Sequence, residues 1–190
     1  ETLLANGATF AQVRRHQITQ GDLDEWEQTN ILQARGWLDG QLRRRRQPEV
    51  LTERFCRELH RRMFDETWRW AGQFRTSDKN IGCTWTQVPL RLRQLLDNTA
   101  FQLGVEPPLP LDETAARFHH ALVLVHPFPN GNGRQARLMT DALLRWRGID
   151  SFSWGSRNLV GPGEARTRYI DALRAADRGD FAPLSAFVRS

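Results

Sequence analysis

The residues His126-Pro127-Phe128-Pro129-Asn130-Gly131-Asn132-Gly133-Arg134-Gln135-Ala136-Arg137 combine side chains that could act on a phosphate ester. Two glycines and two asparagines tolerate positive φ and let backbone approach a ligand closely. The N–H groups of such a turn, leading straight into a helix, gather unpaired donors and partial positive charge, which makes a cradle for an anion. Arg134 and Arg137 stand three apart, so both guanidinium groups leave one side of the first helical turn. Two forks beside a nest of amides match a polyphosphate better than a single carboxylate. His126 lies on the opposite lip, and with an ordinary pKa of about 6.5 its neutral ring can accept a proton from a hydroxyl. A base facing phosphate binders is the layout of phosphoryl or nucleotidyl transfer, where positioning and charge neutralisation do most of the work.

Such a loop needs a helix on each side. Asp112 can cap the one before it, whose inward face is Ala115, Phe118, Leu122 and Val125 and which Pro127 ends. The one after it starts near Gly133-Arg134 and runs to Trp146-Arg147, with Gly148 beyond its end. Further helices are predicted from Asp22 to Gly40, with Trp26, Thr29/Asn30, Gln33 and Trp37 on one face, and from Thr52 to Ala71-Gly72, with Phe55, Leu59, Met63 and Trp70 on one side. Two more cover Leu90–Leu103 and about Glu164–Ala176. The stretch from Gln73 to Pro89 has no helical face and reads as a short hairpin or extended flap, with Phe74, Ile81, Trp85 and Val88 as isolated apolar points. The first eighteen residues read as loop, and Pro107-Pro108-Leu109-Pro110 as a stiff connector. The expected class is all-α: a helical bundle with a short β-hairpin flap. It forms one domain over 1–190, with an N-terminal helical segment at 1–50, the flap at 73–89 and the helix–loop–helix at 112–147.

Composition narrows the classes. With 190 residues, 39% hydrophobic and 26% charged, the chain can bury a core, which excludes a disordered chain or a repeat array. Its 27 basic and 22 acidic residues give a net charge of +5, and every basic residue except Lys79 is an arginine. The pI near 10.4 alone does not make a nucleic-acid binder. The run Arg43 to Arg46 reads as a solvated helix end, and no base-reading helix or aromatic row accompanies it, so nucleic acid is not an expected partner. Cys56 and Cys83 are too few for a disulfide scaffold, so reduced thiols in a cytoplasmic protein are expected. No apolar run approaches the roughly 18 residues of a membrane span, and no signal pattern opens the chain. His60, His119 and His120 read as core or surface residues, and no ligand spacing for zinc is present. Trp26, Trp37, Trp68, Trp70 and Trp146 read as core or groove residues. Trp85, in the flap, is the one expected to contact a target or a base.

The string HPFPNGNGRQAR resembles the signature of the Fic family, HxFx(D/E)GNGRxxR, at every signature position but one. The resemblance extends to Glu58–Phe64 and to Trp70-Ala71-Gly72-Gln73-Phe74-Arg75, which look like the helix and glycine turn before the Fic flap. Asp24-Glu25-Trp26-Glu27-Gln28-Thr29-Asn30-Ile31-Leu32 is similar to the subgroup called mobile mystery protein B. The resemblance implies transfer of AMP from ATP, or of another nucleotide from its triphosphate, to a Ser, Thr or Tyr hydroxyl of a target protein. In it His126 deprotonates the hydroxyl, Asn132 and the amides of Gly131 and Gly133 hold the α- and β-phosphates, Arg134 grips the β- and γ-phosphates, and Arg137 orients the γ-phosphate. Phe128 anchors the loop. Residues Asn80 to Val88, among them Asn80, Ile81, Gly82 and Trp85, correspond to the flap that registers a target segment as an added strand, with an ordinary surface hairpin as the alternative.

The departure is Asn130, where the family places Asp or Glu to bind magnesium on the phosphates. An amide oxygen is neutral and a weaker ligand for that hard ion, so Mg²⁺ would be bound mainly through the nucleotide. A weak enzyme, a different phosphate donor and a binding-only Fic module stay open. Many Fic proteins also carry an inhibitory helix, (S/T)xxxE(G/N). No glutamate here has Ser or Thr four residues before it, which leaves room for a small antitoxin-like partner.

Overall fold

The computed structural model describes residues 20–44, 49–106, 110–156 and 163–190. Among the described residues seven α-helices follow in order: α1 Gln20–Leu42, α2 Glu53–Phe64, α3 Val88–Gln102, α4 Leu111–Val125, α5 Asn132–Trp146, α6 Glu164–Asp177 and α7 Ala182–Val188. Single 3₁₀ turns sit at Trp85–Gln87 and Trp154–Ser156. The fold is all-α, with no strand among the described residues. The first eighteen residues, Arg45 and Arg46 of the basic run, and Pro107 to Leu109 of the connector lie outside the described residues.

α4 and α5 pack against each other as a hairpin between two cores. On one side Phe118, Leu122, Met139 and Leu143 meet Leu38 of α1, Leu59, Met63 and Phe64 of α2, and Leu92 of α3. On the other, Ala115, Ala116 and Leu144 meet Tyr169 and Leu173 of α6 and Leu184, Phe187 and Val188 of α7. Each fully buried Leu or Phe contributes about 2 kcal/mol. A hairpin gripped on both faces is a rigid base for the loop at its tip.

Local chemistry sets the ends of the helices and departs from expectation in places. Thr52 caps α2 by accepting a hydrogen bond from the N–H of Phe55 at 3.1 Å. α2 stops at Phe64, not at Ala71-Gly72. Trp70 keeps the helical spacing from Met63, but the Thr67 and Trp68 N–H groups both turn back to the Phe64 carbonyl, and Gly72 (φ 74°) folds the chain against α2. A Cβ on Gly72 would lie 2.9 Å from Arg61 Cβ. Asp112 does not cap α4. Pro110 occupies that position, while Asp112 pairs with Arg189 beyond α7 at 2.5 Å. α1 is rotated relative to its expected face, and Trp26 is exposed. Its buried stripe is Leu23, Glu27, Asn30, Ala34, Leu38 and Leu42. Two of those six are polar and bonded inward, Asn30 to Thr67 Oγ1 at 2.9 Å and Glu27 to Trp68 Nε1, so hydrophobic period alone misjudges this helix.

The expected hairpin is a loop of bends running into the 3₁₀ turn, and α3 begins already at Val88, with Pro89 in its first turn. Polar side chains take the groups that a strand ladder would use. Arg75 binds the Ser77 and Cys83 carbonyls, and Asp78 Oδ1 accepts from the Trp85 N–H at 2.7 Å.

Candidate active site

α4 ends on His126, whose backbone is left-handed (φ 50°, ψ 59°), a conformation that costs a residue with a Cβ about 1 kcal/mol or more. Pro127 prevents further helix. The His126 Nδ1–H donates to the Val123 carbonyl at 3.3 Å, which leaves the Nε2 lone pair as the proton acceptor of the ring. Burial, opposed by the Val123 bond and aided by the positive charges of Arg75 and Lys79, holds its pKa below the ordinary imidazole value.

The loop that follows is fastened from inside. Phe128 is fully buried, and the Asn132 side chain spans its peptide groups, accepting from the Phe128 N–H and donating to the Phe128 carbonyl, both at 2.8 Å. His60 of α2 stacks on Phe128 at 3.7 Å between centroids. The Gly72 N–H donates to His60 Nδ1 (2.9 Å), so Nε2 carries the proton and donates to the Asn130 carbonyl (3.1 Å). One neutral imidazole thereby ties α2, the glycine turn and the loop together. Gly131 is left-handed (φ 74°), and no side chain caps α5 at its N-terminus. The Gly131 N–H is occupied by Asn130 Oδ1 at 2.8 Å, and Gly133 and Arg134 of the first turn of α5 line the cleft.

The two arginines are held differently. Arg134 Nη1 pairs with Glu27 Oε2 at 2.5 Å, and its guanidinium lies 4.9 Å over the Phe64 ring. Glu27 is buried and its other oxygen accepts from Trp68 Nε1. Although the inhibitory sequence pattern is missing, a carboxylate does reach Arg134, and an anion there must share or displace it. The Arg137 guanidinium lies 5.8 Å from the Tyr169 ring centroid, and the Tyr169 hydroxyl lies 2.8 Å from His119 Nε2. Burial lowers the Arg137 pKa against the opposing contact with Tyr169.

A cleft of about 500 Å³ brings together His126, Asn130, Gly131, Asn132, Gly133, Arg134, Arg137 and Ile81. Asn80 borders a neighbouring hollow with His126, and Gly82 lies against His126 from the flap. Trp85 does not line the cleft; it is exposed at the foot of α3. Sequence reading gave no role to Glu27, His60, Trp68, Tyr169, Ile170 or Leu173 in this cleft or its supports. For the last three the spacing on α6 looks like any core face, and only packing turns it toward the loop.

The donor set fits magnesium poorly. No group of three or more His, Cys, Asp or Glu able to hold a metal occurs among the described residues, and the Asn130 amide oxygen is committed to Gly131.

Acid should weaken the assembly. Burial, with smaller opposing hydrogen bonds and further lowering by neighbouring positive charge, brings the pKa of His60 and His119 from 6.5 to about 3. The unfolded chain protonates both rings below 6.5, so their contribution is complete above that value and is lost as pH falls through 3. Asp141 runs the other way. Burial, against bonds from Trp154 Nε1 and the Phe152 N–H, raises it from 3.8 to about 6, so the native chain holds one extra proton between those values. His126 and Glu58, whose native pKa values are also lowered, act in the same direction as the two rings, so the unfolded chain binds at least one proton more. Urea titrations should show unfolding free energy falling by at least about 1.4 kcal/mol per pH unit between pH 6 and 4; a flat profile would contradict the burial of the two rings.

Fold and site together define a helical domain that carries a histidine, a glycine-asparagine loop and an arginine pair on one helix–loop–helix. The chain belongs to the Fic/DOC family, whose model matches residues 50–144. It is 33% identical over 134 residues to protein adenylyltransferase fic-1 of Caenorhabditis elegans, covering 69% of this chain and 25% of that protein. It therefore spans about a quarter of the length of that relative. The probable protein adenylyltransferase y4lH of Sinorhizobium fredii is 27% identical over 177 residues, covering 90% of this chain and 84% of the relative. Among solved structures, residues 134–508 of C. elegans Fic-1 superpose with a TM-score of 0.69 at 26% identity, over 97% of this chain and 54% of that one. BepC of Bartonella tribocorum, at 18% identity and a TM-score of 0.67 over 90% of this chain and 86% of that one, shares the fold. No helix among the described residues is long and apolar enough to cross a membrane.

Proposed function

We propose that the chain is a protein nucleotidyltransferase that moves AMP from ATP to a Ser, Thr or Tyr hydroxyl of a target protein. One arrangement carries this reading: the His126 ring opens on the same cleft as the uncapped start of α5 and the guanidinium groups of Arg134 and Arg137. The adenylyltransferase names of its relatives support it. In this reading His126 Nε2 takes the hydroxyl proton as the oxygen bonds to the α-phosphorus. The bond from that phosphorus to the bridging oxygen breaks, and pyrophosphate leaves with the electron pair. The Gly133 amide and the first turn of α5 face the α- and β-phosphates, while Arg134 and Arg137 neutralise the leaving group. Asn132 acts by holding the loop. Asn80, Ile81 and Gly82, beside His126, suit the target segment, and Trp85 a contact further out.

The test is incubation of the protein with each labelled nucleoside triphosphate and a lysate, wild type beside His126→Ala. Label on protein that depends on His126 supports transfer. Nucleotide binding without label would favour the second reading, a binding module, to which Asn130 points. Asn130→Asp keeps an oxygen for the Gly131 N–H and adds a charged one. Its transfer rate in magnesium should rise by about tenfold or more; a rate that ignores both the substitution and the magnesium concentration would remove this argument. Two free cysteines accord with a cytoplasmic setting. A small antitoxin-like partner would have Arg137 to address, since Glu27 already engages Arg134. Co-purification of such a partner, lost in Arg137→Ala, tests that part.

A further inference from the structure

We infer that Arg75 is a positioning residue that sets His126 and the flap in register with each other, an inference that rests on His126 being the base. Arg75 is buried, with 1% of its side chain exposed, although it belongs to a stretch whose neighbours from Thr76 to Gly82 are exposed. Its guanidinium is spent on backbone carbonyls. Nε donates to the His126 carbonyl at 2.7 Å, Nη1 to the Ser77 carbonyl at 3.0 Å, and Nη2 to the Cys83 carbonyl. Its own N–H donates to the Pro127 carbonyl at 3.0 Å. Asp78 Oδ1 lies 3.6 Å from Nη1 and also accepts from the Trp85 N–H. A single planar fork therefore joins both limbs of the flap to the residue that ends α4.

The position of the bonded carbonyl separates this from simple core filling. It belongs to His126 itself, whose left-handed backbone survives only where its surroundings over-determine it. Turning that residue to the ordinary helical region would swing the carbonyl off Arg75 and carry the imidazole away from the cleft. The flap is laid on the same point. Gly82 (φ 113°) approaches so closely that a Cβ there would lie 2.7 Å from His126 Cβ and 3.0 Å from Arg75 Nη2. The height of the flap over the imidazole, and so the reach from a hydroxyl held on the flap to Nε2, is set by the guanidinium that bonds both segments. A lysine keeps the charge but cannot span three carbonyls.

Arg75→Lys and, independently, Gly82→Ala should lower kcat and raise KM for the target protein by about tenfold or more each, since displacements near 1 Å carry costs of that order. Nucleotide affinity, measured by calorimetry without target, should stay within about twofold. Hydrogen exchange supplies a readout that needs no activity: in Arg75→Lys, amides at 76–86 and at 126–128 should lose protection together, while 53–64 and 132–146 keep theirs. Gly82→Ala sits on the exposed flap and leaves the cores intact, so its kinetics do not depend on the folding of the arginine variant. Nucleotide and target constants falling in parallel, or a flap that loosens while 126–128 stays protected, would overturn the inference. A wild-type protein that labels nothing would remove the transferase reading, and the paired exchange would still decide whether Arg75 couples the two segments.

Discussion

His126→Ala is expected to slow nucleotide transfer by about 10²- to 10⁴-fold, the usual contribution of a positioned general base, with nucleotide affinity kept within about twofold. The separation follows from what the ring touches. Its Nδ1–H bonds only the Val123 carbonyl and its other nitrogen serves as acceptor, so no phosphate-binding group loses a partner. Alanine does add strain at φ 50°, and His126→Asn, which tolerates the left-handed region better, controls for it. Both variants should be equally inactive in single-turnover labelling. For the wild type, burial and the charges of Arg75 and Lys79 keep the ring neutral below the usual imidazole range, so the acid limb of the rate should lie below pH 6.5. Transfer that is indifferent to both substitutions, or an acid limb above pH 7, would take His126 out of the chemistry.

Gly131→Ala should all but abolish nucleotide binding, by about 100-fold or more, and should lower the melting temperature. A Cβ there would lie 2.4 Å from Phe64 Cζ and 2.6 Å from Cε2, and the backbone is left-handed at φ 74°. The Phe64 ring cannot retreat. It is fully buried, packed 4.8 Å from the His60 ring and covered by the Arg134 guanidinium. Strain of about 1–2 kcal/mol and overpacking of about 1–3 kcal/mol add to a loss of roughly 5–15 °C in a domain of this size. Gly133→Ala is the matched comparison. Its Cβ would meet only Arg137 Nη1, at 3.9 Å, so stability should hold while the added methyl crowds the approach of a ligand to the amides. Thermal melts and nucleotide titrations of the two alanine variants, side by side, check this; equal stability losses would mean that Phe64 does not wedge the turn.

What the sequence determined alone was local. The helical class, the Thr52 cap and the pairing of a histidine with two arginines across a glycine turn depend on residue type and on spacings of a few residues, which backbone sterics translate directly into geometry. Where a polar group takes the place of an apolar one, or a distant side chain takes a backbone group, that translation fails. Glu27 looks like a solvent position, yet it joins Asn30 on the inward face of α1, where Trp68 and Thr67, about 40 residues away, supply their hydrogen bonds. The flap fails as a hairpin for the same reason: Arg75 and Asp78 take the groups that strands would share. Tertiary structure alone decided that His60 would hold the loop, that Tyr169 would seat Arg137 and that Glu27 would face Arg134. Each of these contacts joins segments far apart in the chain, and a buried polar atom must find its partner wherever packing places one.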